Sequence, residues 1–415
     1  MLLNKLNSKT IRLNLYLTEQ HIIKKQHLFY KECDELCFKS KNLYNSGLYA
    51  VRQHFFNEKL FLNGFSLIDK FTKENNVDYK NLPSKVSQQT LKLVEQNFKS
   101  FFGALKAKKN GKNESQVNIP KYLKTINGRQ IVTYTIQAIS YKSLKRGLIK
   151  LSQTNIQFKT FVPTKDIQQV RIIPKNGYYV IEVVYKKEIK ELKQDNKRYA
   201  SIDLGLNNLA TVGSNVMKPF IINGRPLKSI NQFYNKKLAK LKSNLKDEKK
   251  SSNRIKRLCF KRNTKIKNYF HKASRCIINQ LASNSINTLI IGHNKEWKQE
   301  INIGKVNNQN LTYIPHSTFI WMIKYKASLE GINVILQEES YTSKCSFLDN
   351  EPICKHECYK GTRVKRGLFK SKERGLINAD VNGSLNILRK AVKNAFKKAN
   401  LIEVSSSPLK IKTFL

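Results

Sequence analysis

The stretch Tyr199-Ala-Ser-Ile-Asp-Leu-Gly-Leu-Asn-Asn-Leu-Ala-Thr-Val212 predicts a strand, a turn and a second strand, with a carboxylate near its middle. Asp203 stands between Ile202 and Leu204. A lone charge buried there costs several kcal/mol unless a cation or hydrogen-bond donors meet it. We therefore expect a positively charged partner at Asp203, although an aspartate before a glycine turn also commonly acts as a turn cap.

A second stretch, Asn378-Ala-Asp-Val-Asn-Gly-Ser-Leu-Asn-Ile-Leu388, predicts a helix that begins after a cap at Asn378. Asp380 falls in the first turn, where the helix dipole favours a negative charge. Gly383 and Ser384 lie one turn further along the same face, and their small size allows close approach to a sheet. The two aspartates can then meet, although they are far apart in sequence.

The two stretches resemble the first and third RuvC nuclease motifs of the TnpB (OrfB) proteins, which insertion-sequence transposons encode and which are related to type V CRISPR effectors. Tyr341-Thr-Ser-Lys344 fits the same family. The resemblance is specific over residues 199–390 and looser over the first half. It implies an α/β protein with an RNase H-like (RuvC) nuclease domain, an N-terminal β-barrel (wedge) module and an inserted helical recognition domain.

The resemblance also implies an activity and partners. It implies a transposon-associated, RNA-guided DNA endonuclease that depends on Mg²⁺ or Mn²⁺ and cleaves double-stranded target DNA next to a short flanking motif. The guide RNA would derive from the transposon end, and pairing with it would supply the sequence specificity. Two alternatives stay open: an RNA-guided DNA-binding protein with an inactive nuclease centre, acting as a roadblock or repressor, and a DNA-strand transferase of the RNase H-like class.

The second catalytic motif of the family is altered in this chain. Residues 287–292 predict a buried strand, which in the family ends in a glutamate, but Gly292 or His293 stands at that place. The next predicted strand ends in Glu338 and Glu339. Neighbouring parallel strands lie about 4.8 Å apart, within the reach of a glutamate. Strand alternation sends the two glutamates to opposite faces, so only one of them can point at Asp203. The resemblance implies that this one is Glu339, because it directly precedes Ser340-Tyr-Thr-Ser343, where relocated acids lie in similar TnpB-like proteins.

The predicted catalytic residues and Mg²⁺ ligands are therefore Asp203, Glu339 and Asp380. Such a nuclease needs several carboxylates because two divalent metals, about 3.5 to 4 Å apart, must be bridged. Glu338 is the alternative second-motif acid, and Glu296 and Glu300 are weaker candidates in a polar loop. If both glutamates at the strand end are simply solvated, the nuclease centre is incomplete.

The family carries a zinc ribbon before the last helix, built from two Cys-x-x-Cys pairs that supply four tetrahedral ligands. In this chain the pairs are broken, and no cysteine follows in residues 360–375. Zinc could still bind through Cys345, Cys354, His356 and Cys358, but their spacing matches no standard knuckle. The alternative is a degenerate ribbon held by packing, which forms a basic flap with Arg363, Lys365, Arg366, Lys370 and Lys372.

The charge of the chain indicates a polyanionic partner. Lysine and arginine number 77 against 29 acidic residues, a net charge of +48. Two long predicted helices after residue 224 carry many cations and few acids, whereas a solvated helical hairpin usually mixes signs. We predict phosphate contacts by Lys236, Lys240, Arg254, Arg257, Arg262, Lys365 and Arg366.

Composition also bears on location. No apolar run approaches the roughly 18 to 20 residues of a membrane span, and the first residues lack the apolar core of a signal peptide. The seven cysteines show no regular pairing, which suits a reducing compartment. We expect no membrane partner and a cytoplasmic, nucleoid-associated protein in a bacterium.

The chain of 415 residues, 40% hydrophobic, is long enough for two or three domains. One predicted strand precedes helices, and several strands follow, which predicts a β module with a helical insertion. The predicted segments are 1–27 (first strand or strands of the β module), 28–125 (helical recognition domain), 126–190 (rest of the β module), 198–338 (first part of the nuclease domain, with the basic helical hairpin), 339–376 (degenerate zinc-ribbon-like basic insert), 377–399 (C-terminal helix of the nuclease domain) and 400–415 (disordered tail).

Overall fold

The computed structural model describes residues 14–112, 114–245, 250–294 and 314–411. Residues 10–13 of the first predicted strand, together with Glu296 and Glu300, lie outside the described residues. The chain divides into two compact units. The first unit comprises residues 14–187, and the described part of the second comprises the residues from 188 onward.

The first unit contains the strand, helices and later strands that the sequence predicts in that order. Its elements are β1 Asn14–Ile23, α1 Tyr30–Glu58, α2 Gly64–Lys73, α3 Val77–Lys80, α4 Ser84–Lys109, β2 Val132–Thr135, α5 Tyr141–Leu144, β3 Leu148–Lys150, β4 Gln157–Lys159, β5 Ile167–Lys175 and β6 Tyr178–Glu188. The described strands form an open sheet in the order β1-β6-β5-β2 and a small sheet of β3 and β4. Closure into a β-barrel stays a prediction.

Two cysteines lie in the core of the first unit. Cys33 and Cys37 are fully buried on α1, among the apolar side chains that join the helices to the sheet. Burial raises the pKa of both thiols. They act as small core residues.

The second unit carries the predicted carboxylates. Its elements are β7 Tyr199–Leu204, β8 Asn208–Ser214, β9 Phe220–Asn223, α6 Arg225–Ser243, α7 Asn253–Ser283, β10 Thr288–Gly292, α8 His316–Leu329, β11 Asn333–Gln337, β12 Thr362–Lys365, β13 Leu368–Lys370, β14 Leu376–Asn378, α9 Ala379–Ala391, α10 Leu401–Val404 and β15 Leu409–Ile411. Strands β12, β13 and β14 form a small antiparallel sheet within the insert.

The large sheet of this unit is mixed, with the order β11-β10-β7-β8-β9-β15. Strands β7, β8 and β9 form an antiparallel meander, and β10 and β11 run parallel to β7. Parallel neighbours need crossover connections, which α7 and α8 supply. The carboxyl ends of β7, β10 and β11 therefore meet at one edge of the sheet.

Alternation along β7 separates the core from the site. Ala200, Ile202 and Leu204 face a core formed with α7 and α8. Ser201 and Asp203 face the other side of the sheet, where α9 packs against β7 and β8. The sheet therefore lies between two helical layers, and Asp203 points toward α9.

The prediction of a disordered tail is wrong for the part of it that is described. Helix α10 begins at Leu401, and β15 pairs in parallel with β9, with Leu409 N donating to Pro219 O at 2.9 Å. Without β15, strand β9 would leave a row of backbone donors and acceptors unpaired at the sheet edge. The signal in the sequence is short because two alternating apolar residues, Leu409 and Ile411, carry it. Residues 412–415 lie outside the described residues.

No helix in the described parts of the chain is long and apolar enough to cross a membrane.

Candidate active site

The first and third motifs meet as the sequence predicts. Asn378 caps α9, with its Oδ1 accepting from Asp380 N at 3.0 Å and from Val381 N at 3.2 Å. One turn later, Gly383 lies against the Asp203 carboxylate, and a Cβ there would come within 2.9 Å of Asp203 Oδ2. The absent side chain lets the carboxylate of β7 lie directly against α9.

Ser384 fixes this close contact. Its Oγ accepts from Gly213 N at 2.9 Å, and Ser201 Oγ donates to Ser384 O at 2.6 Å. Both serines are fully buried, so the bonds form in a low dielectric and hold α9 against β7 and β8. These bonds fix α9, which carries Asp380, against β7, which carries Asp203.

Glu339 occupies the space that Gly292 leaves at the end of β10. A Cβ built on Gly292 would lie 2.2 Å from Glu339 Oε1 and 2.7 Å from Ile387 Cδ1. Glu339 N donates to Asn294 Oδ1 at 2.9 Å, which anchors the chain just beyond β11. The absence of a side chain at Gly292, the last residue of β10, therefore leaves room for the carboxylate of Glu339, which follows β11.

Glu338 points the other way and is held at the surface. Lys390 Nζ donates to its Oε2 at 2.6 Å, and Ser340 donates to its Oε1 through N, at 2.6 Å, and through Oγ. The hydrogen bond from Lys390, followed by those from Ser340, lowers the pKa of Glu338 to about 2. The structure places Glu339 inward and Glu338 outward; the role of either residue stays a prediction.

The pKa values of Asp203 and Glu339 are both raised. Burial, and then the charges of Glu339 and Asp380, raise the pKa of Asp203 well above its usual range, while Arg363 acts in the opposite direction. Burial, and then the charge of Glu338, raise the pKa of Glu339 to about 7. The site therefore disfavours full ionisation of its acids unless a cation joins them.

Asp380 has partners of its own. Asn208 Nδ2 donates to its Oδ2 at 2.6 Å, and Arg363 Nη2, on β12, lies 3.4 Å from its Oδ1. Across residues 14–112, 114–245, 250–294 and 314–411, no three His, Cys, Asp or Glu side chains already form a metal-binding group. The chemistry of the site fits a divalent cation, because partly buried carboxylates whose charges repel are hard-cation ligands. The present geometry keeps Asp380 paired with Arg363.

A cavity of about 720 Å³ opens beside these aspartates. It contains Asp203 and Asp380, and it is rimmed by four cationic side chains: Arg225, Arg363, Arg366 and Lys410. Glu339 does not line this cavity and lies in a separate small pocket with Leu204 and Gly292. The sequence predicts Arg366 as a nucleic-acid contact. It does not predict Arg225 or Lys410, because their position near the aspartates depends on how the strands of the sheet pair.

The other predicted phosphate contacts fall on α6, α7 and β12. Lys236, Lys240, Arg254, Arg257 and Lys365 are exposed. Arg262 instead lies between α6 and α7, with its Nε donating to Asn231 Oδ1 at 2.9 Å and its guanidinium over the Tyr234 ring. Arg262 therefore also helps to hold the helical hairpin together.

The predicted zinc ligands do not converge in the described residues. Cys354 Sγ and His356 Nε2 lie 3.4 Å apart, and both Cys354 and Cys358 are exposed. Cys345 is buried, and its Sγ contacts the carbonyl of Cys354 at 3.7 Å. Zinc binding at this place stays a prediction.

Two carboxylates hold the loops of the insert. Glu351 is 1% exposed and accepts from Ser346 N at 2.7 Å and from Lys360 N at 2.8 Å. Asp349 accepts from Ser371 Oγ at 2.8 Å and from Lys372 N at 2.9 Å. Each acid joins segments that are well separated in sequence.

The polar face of α9 also holds the insert, which sequence reasoning missed. Asn382 Nδ2 donates to Cys345 O at 2.9 Å, and its Oδ1 accepts from Phe347 N at 2.9 Å. Asn386 Nδ2 donates to Thr342 O at 2.9 Å and to Cys345 O at 2.7 Å. Two asparagines spaced i, i+4 beside apolar helix positions are the signal that could have found this contact.

Comparisons with known proteins find two family models and a curated relative that match this chain. A family model described as "Probable transposase" (OrfB_IS605) matches residues 182–298, and a Cas12f1-like TNB domain model matches residues 316–387. "TnpB-like protein ORF457" of Acidianus two-tailed virus is 24% identical over 395 residues, covering 85% of this chain and 82% of that protein.

Two solved structures are also similar. A cryo-EM structure of a Cas12f1–sgRNA–target DNA complex has a TM-score of 0.38 and 16% identity, covering 91% of this chain and 100% of that chain. The crystal structure of Alicyclobacillus acidoterrestris C2c1 in complex with single-guide RNA has a TM-score of 0.40 and 8% identity, covering 87% and 70%.

The mixed α/β fold and the matched models define the class as a transposase-like protein. Within that class, the two matched models and the TnpB-like relative support a protein of the TnpB (OrfB) family.

Proposed function

We propose that this protein is a transposon-associated, RNA-guided, metal-dependent DNA endonuclease with an RNase H-like (RuvC) catalytic domain. The observation that carries the proposal is the relation between Gly292 and Glu339. The glutamate carboxylate lies in the volume that a side chain at the end of β10 would fill, next to Asp203. The family's second-motif acid is thus supplied from the neighbouring strand.

The order of the large sheet supports the RNase H-like assignment. An antiparallel meander is followed by two parallel strands on its far side, and the acids gather at one edge. Helix α9 brings the third-motif acid to the same place through its slim face at Gly383. Family membership supports the same assignment independently of this geometry.

The metal-binding residues in this proposal are Asp203, Glu339 and Asp380. Bound Mg²⁺ or Mn²⁺ would activate water and stabilise the leaving oxygen. Asn208 orients the Asp380 carboxylate, and Arg363 balances its charge from β12. Glu339 is held by its backbone bond to Asn294, so its carboxylate stays at the end of β10.

The proposed partners are a guide RNA from the transposon end and a double-stranded DNA target next to a short flanking motif. The net charge of +48 supports polyanionic partners. Exposed cations on α6 and α7, and the cationic rim of the cavity beside Asp203, give such partners places to bind. Guide pairing, rather than the protein surface, would select the sequence.

A nuclease-inactive, RNA-guided DNA-binding protein is the second candidate. The observation that favours it is the pairing of Asp380 with Arg363 and Asn208, which keeps this acid out of a ready ligand group. In that case the same scaffold would block or repress at its target. The two functions share their partners and differ in cleavage.

The experiment begins with the nucleic acid that copurifies with the protein, which is sequenced to define the guide. A DNA target complementary to that guide, with randomised flanks, is then incubated with the complex and Mg²⁺ or Mn²⁺. We expect guide-dependent cleavage and RNA binding that weakens steeply with salt. Target binding without any cleavage would favour the roadblock, and an RNA affinity independent of salt would contradict both functions.

A further inference from the structure

One row of side chains crosses the large sheet from the candidate active site to its far edge. Asp203 on β7 pairs in register with Thr211 on β8, and Thr211 pairs with Ile221 on β9. Ile221 in turn pairs with Lys410 on β15. Residues in register on neighbouring strands share a face, so these four residues lie on the Asp203 side of the sheet.

The cavity agrees with the register. All four members of the row line the same cavity of about 720 Å³ as Asp380. Ile411, the next residue along β15, pairs with Ile222 and packs against the core formed with α7 and α8. The C-terminal strand thus buries one side chain in the core and presents the lysine before it to the cavity.

The row also sets a distance. Three strand spacings separate β7 from β15, and at about 4.8 Å each they place the Cα atoms of Asp203 and Lys410 roughly 14 Å apart. A stacked nucleic-acid strand carries one phosphate per about 3.4 Å of its axis. Lys410 therefore lies within about four nucleotides of a phosphate held at Asp203, and closer for an extended strand.

The charges at this end of the cavity suit a phosphate backbone. Arg225, the first residue of α6, lines the cavity together with Lys410. No ion pair joins either side chain to an acid in the described parts of the chain. Arg363, by contrast, is paired with Asp380. Lys410 and Arg225 are thus cations whose charge is available to a ligand.

We propose that the C-terminal strand β15 is part of the DNA-binding cleft, and that Lys410, with Arg225, binds backbone phosphates of the DNA strand that enters the active site, within about four nucleotides of the cut. The proposal rests on the proposed function for the identity of the ligand. It assigns the tail a role in binding the strand to be cleaved, separate from the chemistry at the carboxylates. A phosphate contact of this kind carries no sequence preference.

Site-directed cross-linking without metal tests the contact directly. The K410C variant, loaded with guide RNA in EDTA, is incubated with targets that carry a thiol-reactive group on one backbone phosphate at a time. The unmodified protein controls for its native cysteines, and K398C, an exposed position in the same segment, is the matched control. We expect a maximum confined to a few adjacent phosphates, within about four nucleotides of the cleavage position.

Cleavage kinetics give the second readout. Lys410→Ala should raise KM for the target several-fold and leave kcat within about twofold, because the lost contact binds substrate away from the metal ligands. Lys398→Ala, which removes the same charge, should leave both unchanged. A K410C cross-linking profile equal to that of K398C, or an unchanged KM for Lys410→Ala, would overturn the proposal. A parent that binds target and never cleaves it would instead remove the endonuclease function, while a localised cross-link would still support the contact.

Discussion

The carboxylate cleft and the insert of residues 341–376 depart from the family pattern in different ways. In the cleft, Gly292 stands where the family has an acid, and the Glu339 carboxylate fills the space beside it. In the insert, the paired cysteines of a zinc ribbon are incomplete, and Glu351 and Asp349 bind backbone amides of separate loops. Acids therefore have defined neighbours in both regions.

The difference lies in what satisfies these acids. Glu351 accepts two N–H groups, so its buried charge is compensated within the protein. Burial raises the pKa values of both Asp203 and Glu339, and the charge of Glu339 raises that of Asp203 further. A cation would relieve the repulsion in the cleft, whereas the insert already has its compensation. We therefore expect a cation to stabilise the ionised carboxylates of the cleft, whereas the Glu351 carboxylate needs none.

The largest effect is expected for the two motif aspartates. Asp203→Ala or Asp380→Ala should abolish Mg²⁺-dependent cleavage, because each removes a metal ligand. Guide and target binding should stay within a few-fold of the parent, since these carboxylates hold metal rather than nucleic acid. Cleavage gels and binding titrations on the same preparations check this. A proportional loss of RNA binding would make the residue structural and the assignment wrong.

The second-largest effect on cleavage is expected at Gly292. Gly292→Ala places a methyl group 2.2 Å from Glu339 Oε1, so the carboxylate must move, and cleavage should fall about 100-fold, as misplacement of about 1 Å commonly costs. Gly103→Ala, where a Cβ meets nothing within 4 Å, is the matched control. The G292E, E339G double variant, which returns the acid to β10, should recover part of the lost rate. Full cleavage activity of Gly292→Ala would contradict a role for the Glu339 carboxylate in cleavage.

The sequence predicts a helix cap and a buried strand around the motifs because their signals are local. The cap at Asn378 and the apolar run of β10 both depend on neighbours along the chain, and both are found. The position of Lys410 depends on which strand pairs with β9 at the edge of the sheet. Tertiary contacts decide this pairing, and a strand of three residues is too short to predict it from the sequence. The same reason explains why Asn386 and Arg225 were missed: their partners are distant in sequence.

Stability should depend on pH through Glu339. Its pKa in the folded protein is about 7, above the ordinary value of 4.5, so between these values the folded state binds more protons than the unfolded state. The free energy of unfolding of the metal-free protein should therefore fall as pH rises from about 4.5 to 7, by up to about 3 kcal/mol from this group. Asp203 contributes in the same direction.

Denaturant titrations across this pH range check the effect. Glu339→Gln should flatten the profile because glutamine does not titrate there. Mg²⁺ at neutral pH should restore stability to the parent, since it binds the folded state. A profile in Glu339→Gln that matches the parent would contradict the raised pKa.

The smallest effect is expected in the insert. Glu351→Gln leaves one buried N–H facing an amide NH₂, which should cost about 2 kcal/mol of stability. Glu357→Gln, at an exposed position, is the control. A zinc chelator should leave the melting temperature unchanged if these bonds replace the metal. A large drop with chelator would instead identify a zinc site that Cys345, Cys354, His356 and Cys358 could form.

The most direct test of the central claim compares neighbouring glutamates. Cleavage rates and target affinities of the parent, Glu339→Gln and Glu338→Gln are measured with guide RNA, matched target and Mg²⁺ or Mn²⁺. Because Glu339 faces Asp203 while Glu338 binds Lys390 at the surface, Glu339→Gln should lower cleavage by orders of magnitude with affinity intact, and Glu338→Gln should stay within a few-fold. Cleavage at the parent's rate by both single variants and the double variant would contradict the account.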